Sequence, residues 1–352
     1  MVHLRYLLAS AGFCGSALAI STAEAAAHVI FSYTGTNHPA SLTTLAGKCE
    51  LGGVIIFKDN VDSKLSAYLS NLQSVYASAG CAISGPLLIL TDQEGGEVLR
   101  LPGGPTLSEK DIGALRDPSV GATTAGVQAA AALKAYSHNG NLAPVLDVYH
   151  KAGDFEDQYE RSYSNNATVV AQAAVAFIKA QQARGVVATA KHFPGLGAAE
   201  ASQNTDAQPV TINRSLDQLR AIDEVPYVEV IKAGVGMIMA SWALYPALDA
   251  TYPSGISKKW ITGELRGRLG WNGVVVTDAI EAGGLNNFGA DAGKRAVMAI
   301  AAGQDLILAA GRTVSQGQAI TSALVSAVAD GTLTSSFFST STQRLQKLRS
   351  TL

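Results

Sequence analysis

Eight short apolar runs, each followed by a longer amphipathic or alanine-rich segment, constrain the fold of this chain more than any other feature. The runs have the length and the aliphatic content of strands that are buried on both faces. They cover residues 29–33, 53–57, 87–90, 142–145, 186–190, 237–240, 274–277 and 305–308. Consecutive parallel strands need a crossover connection, so this alternation predicts a parallel β-sheet with helices between its strands.

The segments between the apolar runs have helical periodicity. They cover residues 64–79, 124–138, 168–184, 216–233, 258–269, 294–302 and 316–329. With eight strands, closure into a barrel is expected in preference to an open sheet. No internal repeat, low-complexity tract or long linker indicates a second domain. We therefore predict the α/β fold class, with a (β/α)8 TIM-type barrel in a single domain.

Residues 1–27 have the features of a signal peptide. His3 and Arg5 form a short basic region, residues 7–20 are apolar or small, and residues 25–27 are three alanines that suit cleavage. About 14 apolar residues are too few to span a bilayer. We therefore expect export, cleavage after Ala27 and a secreted barrel domain over residues 28–352, with no membrane contact after cleavage.

The charge and motif content narrow the choice of partners. The formal net charge is −2, which argues against nucleic acid or an anionic membrane surface as the main partner. The chain has neither a Cys/His spacing typical of metal ligands nor a glycine-rich loop that could cradle a phosphate. No metal or organic cofactor is therefore expected, and the partner is expected to be a small molecule or an oligosaccharide.

Two cysteines, Cys49 and Cys81, lie outside the expected signal peptide. An even number of cysteines in an exported chain permits a disulfide. Such a bridge would close a loop of about 32 residues and contribute roughly 3 to 4 kcal/mol in the chain-entropy model. The alternative is two separate buried thiols.

Ionisable side chains follow several of the predicted strands. In a barrel of this type the reactive groups lie at the carboxyl ends of the strands, so the residue after each apolar run is the informative one. Carboxylates and a Lys-His pair stand at four such positions, in Asp92-Gln93-Glu94, at Asp147, in Lys191-His192 and at Asp278. Because all eight strand ends meet at one rim, these groups are expected to converge.

This set of side chains suits a neutral, hydroxyl-rich ligand. Sugars offer many hydrogen-bond donors and acceptors but no strong charge, and carboxylate and guanidinium groups bind them in bidentate fashion. Cleavage of a glycosidic bond also needs an anionic group that faces the anomeric carbon. Asp278 is the candidate, because a carboxylate at the end of a buried strand is unfavourable unless it is paired or used.

Six motifs, in this order along the chain, resemble those of family 3 glycoside hydrolases. They are Asp92-Gln93-Glu94-Gly95-Gly96 with Arg100, Ala143-Pro144-Val145-Leu146-Asp147, Glu160-Arg161-Ser162-Tyr163-Ser164, Lys191-His192-Phe193-Pro194-Gly195, Val276-Thr277-Asp278 and Ala302-Gly303-Gln304-Asp305. The likeness runs from about residue 28 to residue 310 and is greatest to the single-domain β-N-acetylglucosaminidase branch.

The resemblance implies a role for each matching residue. Asp278 would be the nucleophile that forms a covalent glycosyl-enzyme intermediate, so that the anomeric configuration is retained. The positions that match sugar-binding residues are Asp92, Arg100, Arg161, Lys191 and His192. As an alternative, Arg100 and Arg161 could simply form ion pairs with Asp147 or Glu160. Asp147 is expected to be a structural carboxylate that holds Lys191 or an arginine.

The chain departs from the branch in the loop of residues 196–209. There the branch has an Asp-Ser-His segment whose histidine is the general acid/base, whereas this loop contains no histidine. Counting forward from His192 puts Asn204 at the expected position, and counting back from Pro209 puts Thr205 there. Neither side chain donates a proton usefully near neutral pH.

Two carboxylic acids in this loop could replace the histidine. The pKa of Asp206 or of Glu200 could be raised by an apolar site or by the charge of Asp278. Asp206 is preferred because it lies beside the expected position, although an aspartate after Asn204-Thr205 could equally stabilise a turn. A second departure is Ala279, where the branch often has another aspartate.

These features predict a retaining exo-glycosidase that removes terminal β-linked N-acetylglucosamine-type sugars with an acid/base other than histidine. Two alternatives stay open. One is a β-glucosidase or β-xylosidase of the same family, and the other is a sugar-binding relative with impaired catalysis. The presence of Asp278 favours an enzyme over a binding protein, because binding alone needs no nucleophile.

Overall fold

A computed structural model describes residues 19–352 of the protein. Eight parallel strands form its central sheet. They are β1 (Val29–Phe31), β2 (Gly53–Ile55), β3 (Leu88–Leu90), β4 (Gly140–Asn141), β5 (Val187–Phe193), β6 (Met237–Ala240), β7 (Val274–Ala279) and β8 (Leu306–Leu308). Their order in the sheet is β3-β2-β1-β8-β7-β6-β5-β4.

Two main-chain hydrogen bonds join the ends of this sheet. The amide of Asn139 donates to the carbonyl of Ile89 at 3.3 Å, and the amide of Leu142 donates to the carbonyl of Thr91 at 2.9 Å. These bonds connect β3 with β4 and close the sheet into a barrel. The predicted (β/α)8 barrel is confirmed.

Alternate residues of the strands fill the interior of the barrel. Ile30, Leu88, Met237, Val274 and Leu306 belong to one buried cluster, and the residues between them pack outward against the helices. The pattern follows from the two-residue period of a strand, with both faces of every strand covered. The interior is therefore a packed core that supports the rim above it.

Helices surround the barrel. They are α1 (Thr22–Ala26), α2 (Ala40–Gly47), α3 (Leu65–Ser78), α4 (Glu109–Gly113), α5 (Pro118–Ala135), α6 (Phe155–Gln158), α7 (Ala167–Gln182), α8 (Leu216–Gln218), α9 (Val225–Lys232), α10 (Ala292–Ala302), α11 (Val314–Ala329) and α12 (Ser335–Arg349). Segments Leu219–Asp223 and Lys259–Arg268 are π-helical, and Lys58–Asn60, Ser254–Ile256 and Gly283–Phe288 are 3₁₀-helical. The seven predicted helices are present, while α1, α2, α4, α6 and α12 were not predicted.

The fourth strand differs from its prediction over residues 142–145. Regular pairing is interrupted after Asn141, where one amide is missing and one bonds to a side chain. Pro144 has no amide hydrogen, Val145 donates its amide to the Glu109 carboxylate at 2.9 Å, and Leu146 donates to the Lys191 carbonyl at 2.6 Å. The apolar run therefore continues β4 in irregular form, because Thr189 of β5 donates its amide to the Ala143 carbonyl at 2.9 Å and Val145 forms a parallel bridge with Lys191.

Residues 19–27 pack against the barrel domain, although the expected domain boundary follows Ala27. Ser21 forms a capping box with Glu24 at the start of α1. Ala25 and Ala26 are fully buried, and α1 packs against α11 and α12. This packing favours a barrel domain that begins before His28, and residues 1–18 of the expected signal peptide lie outside the described residues. Over residues 19–352 we find no helix that combines the length and hydrophobicity needed to cross a membrane.

The Cys49–Cys81 disulfide is present, with Cα atoms 5.5 Å apart. It joins the segment after α2 to the segment after α3. Both cysteines precede the strands that follow them, so the bond lies toward the amino ends of the strands. The predicted bridge is confirmed, and the alternative of separate thiols is wrong.

Asp305 holds the same end of the barrel together. Its fully buried carboxylate accepts hydrogen bonds from Arg266, Ser341 and Arg344 and from the amide of Val275, at 2.6 to 2.9 Å. Asp305, the last residue of the sixth motif, therefore anchors α12 to the barrel. It lies just before β8, at the end of the barrel opposite the carboxyl rim.

Candidate active site

The candidate active site is a cavity of about 320 Å³ at the carboxyl ends of the strands. Asp278 reaches it because β7 is buried through Thr277 and ends at the rim. Its Oδ1 accepts a hydrogen bond from the amide of Ala279 at 2.7 Å. The charged or acid/base side chains that line the cavity, besides the phenol of Tyr159, are Asp92, Glu94, Glu97, Arg100, Glu156, Arg161, Lys191, His192 and Asp206.

Lys191 binds two carboxylates that follow β3. Its Nζ lies 2.9 Å from Asp92 Oδ1 and 2.7 Å from Glu94 Oε1. Burial lowers the pKa of Lys191, but the two negative charges outweigh burial, so the pKa lies above the ordinary value. Lys191 is therefore a fixed cation that holds Asp92 at the wall of the cavity.

Arg161 forms the second half of this network. Its Nε and Nη2 donate to the two oxygens of Glu94 at 2.8 and 2.9 Å, and its Nη1 lies 2.8 Å from Glu156 Oε2. Burial raises the pKa of Glu94, but Arg161 and Lys191 outweigh it, so the pKa of Glu94 lies well below its usual range. The alternative that Arg161 pairs with Asp147 or Glu160 is wrong.

Arg100 lies nearer the entrance and is partly exposed. Its Nε is 3.9 Å from Asp92 Oδ2, which is an electrostatic contact rather than a hydrogen bond. The amide of Arg100 donates to the side chain of the buried Gln93 at 3.1 Å. The main chain is thus fixed while the guanidinium can still bind a ligand.

Asp147 holds His192. The Oδ2 of Asp147 lies 2.7 Å from His192 Nδ1, and its Oδ1 accepts the amide of Leu196 at 2.6 Å. Burial lowers the pKa of His192, but the Asp147 carboxylate outweighs burial and raises it above the ordinary value. The structural role expected for Asp147 is found, whereas its expected partner, Lys191 or an arginine, is wrong.

The loop that lacks a histidine brings Asn204, Thr205 and Asp206 to the cavity. It is fixed to the segment after β7, because Gly283 donates its amide to the Asp206 carbonyl at 2.8 Å and Gly284 donates to the Thr205 carbonyl at 2.7 Å. A Cβ atom on Gly283 would collide with the main chain of Ala207. The side-chain oxygen of Asn204 also accepts the amide of Asp206 at 2.8 Å, so that Asn204, and not the Asp206 carboxylate, stabilises this turn.

Asp206 lies at the entrance of the same cavity as Asp278 and is exposed. The negative charge of Asp278 is the largest cause that raises the pKa of Asp206, while the positive charge of His192 acts in the opposite direction. Glu200 lines a different cavity, together with residues such as His150 and Arg214. Of the two acids considered, Asp206 alone shares the cavity of Asp278.

Sequence reasoning missed Phe155, Glu156 and Tyr159, which also line the cavity. They lie on and just after α6, a one-turn helix in a segment with no clear periodicity. Glu156, Asp147 and His192 have ligand atoms within 4.8 Å of one another. The bond from His192 to Asp147 and the contact of Arg161 with Glu156 already balance these charges, so the trio does not resemble a vacant metal site.

Ala279, the second departure, contributes its main chain. Its amide donates to Asp278, and its carbonyl accepts the indole hydrogen of Trp242 at 2.9 Å. The next carboxylate after Ala279 in the sequence is that of Glu281, which accepts a hydrogen bond from Gln316 at 3.1 Å. Burial raises the pKa of Glu281, and the charge of Asp278 adds to the rise.

A family model described as the glycosyl hydrolase family 3 N-terminal domain matches residues 28–348. A protein of Arthroderma benhamiae, named an uncharacterized secreted glycosyl hydrolase, is 49% identical over 343 residues, which are 97% of each chain. A beta-hexosaminidase A of Pseudoalteromonas piscicida is 33% identical over 272 residues. That match covers 72% of this chain and 45% of the relative, so this chain spans less than half of its length.

Among solved structures, a family 3 beta-N-acetylglucosaminidase from a Paenibacillus species is similar to this chain. The TM-score is 0.86 at 31% sequence identity, and the match covers 94% of this chain and 62% of that one.

Proposed function

The chain belongs to glycosyl hydrolase family 3, and we propose that it is a retaining exo-glycosidase for terminal β-linked N-acetylglucosamine-type sugars. The observation that carries the proposal is the shared cavity of Asp278 and Asp206, two carboxyl groups whose environments differ. A carboxyl group that donates a proton beside a second carboxyl group that attacks the anomeric carbon is the pair that glycoside cleavage requires.

In the first step, Asp278 attacks the anomeric carbon and forms a covalent glycosyl ester. Asp206 donates its proton to the oxygen of the leaving group as the glycosidic bond breaks. In the second step, the Asp206 carboxylate takes a proton from water, and that water displaces Asp278 from the anomeric carbon. Two inversions at the same carbon retain the configuration. Asp206 thereby recovers its proton.

The charges around Asp278 are suited to bind the sugar ring. Asp92, Arg100, Arg161, Lys191 and His192 line the cavity together, and salt bridges or hydrogen bonds fix most of their side chains. Fixed donors and acceptors bind hydroxyl groups without losing side-chain entropy at the moment of binding. We assign to these five residues the binding of the glycone, which is the sugar ring that carries the anomeric carbon.

The names of the relatives support the choice of sugar. A beta-hexosaminidase and a beta-N-acetylglucosaminidase match most of this chain. Secretion is supported by the name of the Arthroderma protein, so that an extracellular oligosaccharide is the proposed substrate. A β-glucosidase or β-xylosidase is the second candidate, because the same charges would bind a sugar without an acetamido group.

A panel of nitrophenyl glycosides, tested with the secreted protein and its Asp278→Ala variant, examines the proposal. We expect the highest kcat/KM with the β-N-acetylglucosaminide and no turnover in the variant. A preference for the glucoside or xyloside would support the second candidate. Sugar binding without turnover of any glycoside would refute catalysis and favour the binding protein.

A further inference from the structure

Tyr159 is an exposed aromatic residue at the entrance of the cavity. It is 45% exposed and lines the same cavity as Asp278 and Asp206. Its hydroxyl has no hydrogen-bond partner among residues 19–352, and no charged group lies over its ring. An aromatic ring that is exposed at the entrance of a polar cavity offers an apolar face to a ligand that enters the cavity.

Several contacts hold the turn that carries Tyr159. Phe155 contacts the Tyr159 ring edge to face, with ring centroids 5.3 Å apart. Glu160 follows in the left-handed region at φ 57°, which is unfavourable by roughly 1 kcal/mol for a residue other than glycine. The amide of Lys110 donates to the Glu160 carbonyl at 3.2 Å, and the amide of Glu160 donates to the Asp157 carbonyl at 3.1 Å. The surrounding structure thus holds a strained turn that presents the ring.

The same turn is bound to the loop that carries Asp206. Phe155 donates its amide to the Ala199 carbonyl at 2.9 Å, and the side chain of Gln158 donates to the Ala201 carbonyl at 2.6 Å. The ring of Tyr159 is therefore held in a fixed position relative to the loop of the proposed proton donor. That donor must reach the oxygen between the bound sugar and its leaving group.

We propose that Tyr159 is the binding surface for the leaving group, and that it stacks on the apolar face of a second sugar ring. This inference rests on the proposed function and adds to it that the substrates are oligosaccharides with a ring next to the cleaved bond. The buried charges around Lys191 bind the first ring by polar contacts, whereas the exposed ring binds the second by removing apolar area from water.

Two substrates with similarly poor leaving groups test whether Tyr159 binds the second sugar ring or acts in some other way. One is the β-1,4-linked disaccharide of the preferred sugar, and the other is its methyl β-glycoside, which has no second ring. In Tyr159→Ala we expect kcat/KM for the disaccharide to fall about tenfold and that for the methyl glycoside to change less than twofold. Tyr159→Phe keeps the ring and should behave like the unchanged protein.

Tyr252→Ala is the matched control, because Tyr252 is also exposed (40%) and does not line the cavity. An equal loss on both substrates in Tyr159→Ala, no loss on either, or the same selective loss in Tyr252→Ala would overturn the proposal. If the preferred sugar is not N-acetylglucosamine, the nitrophenyl panel will show this before the test of Tyr159 is made. The disaccharide and the methyl glycoside are then prepared from the sugar that the enzyme does cleave. If no glycoside is cleaved, the ratio of the two dissociation constants replaces the kinetic ratio.

Discussion

Asp206 and Asp278 come from different segments of the chain and line one cavity, where the charge of Asp278 is the largest cause that raises the pKa of Asp206. The loop of Asp206 is fixed to the segment that follows Asp278 by the amides of Gly283 and Gly284. The two carboxyl groups are thus joined through the main chain as well as by charge. This pair underlies the predictions on catalysis.

Asp206→Asn tests the proton donor. We expect kcat/KM for a disaccharide to fall about 10² to 10⁴-fold, because the leaving oxygen then receives no proton. The loss should be much smaller for a nitrophenyl glycoside, whose leaving group needs little acid help. Glu200→Gln is the control and should leave both values unchanged. Full disaccharide activity in Asp206→Asn would show that another group donates the proton.

The pH profile tests the same residue in another way. The proposed donor acts in its protonated form, and its pKa is raised. Activity on the disaccharide should therefore persist above the usual pH range of an aspartic acid and fall as the pH rises through the pKa of Asp206. In Asp206→Asn this alkaline limb should vanish. An unchanged limb would mean that a different group causes it.

Glu94→Gln tests the buried charge network. The pKa of Glu94 is lowered. Glu94 therefore stabilises the fold at a pH above the ordinary pKa of a glutamic acid, and this contribution is lost as the pH falls through the lowered pKa. Its removal leaves Lys191 and Arg161 with fewer partners, and we expect a loss of about 3 kcal/mol near pH 7 by urea unfolding. Glu97→Gln, at the exposed edge of the same cavity, should change stability by less than about 0.5 kcal/mol. Equal losses in the two variants would contradict this account.

The disulfide should matter for stability but not for catalysis. Cys49 and Cys81 lie toward the amino ends of the strands, away from the cavity. We expect the double alanine variant to lose roughly 3 kcal/mol of unfolding free energy and to keep its kcat/KM. A loss of activity at a temperature at which the variant is still folded would refute this separation.

The packing of α1 predicts where processing of the secreted protein ends. Cleavage after Ala27 would remove Ala25 and Ala26, which are fully buried. We therefore expect amino-terminal sequencing to find a start at or before Ser21, whose side chain caps α1. A mature protein that starts at His28 and is equally stable would contradict this expectation.

The sequence predicted the barrel because its apolar runs alternate with helical segments, and it predicted which residues meet because parallel strands end at one rim. It did not predict Glu156 or Tyr159, because the placement of α6 depends on contacts such as the bond from Phe155 to Ala199, which no local pattern encodes. The partner of Asp147 was mistaken for a similar reason. Lys191 and His192 both line the cavity, yet Lys191 contacts Asp92 and Glu94 while His192 contacts Asp147, and no local pattern in the sequence separates these partners.

The central claim is that Asp278 forms a covalent bond with the sugar. The most direct measurement is mass spectrometry of the protein after incubation with a 5-fluoro glycosyl fluoride of the preferred sugar, which slows the second step. We predict a mass increase of one sugar, located on the peptide that contains Asp278 and absent in Asp278→Ala. A label on any other residue, or turnover of this reagent through inversion at the anomeric carbon, would contradict the account.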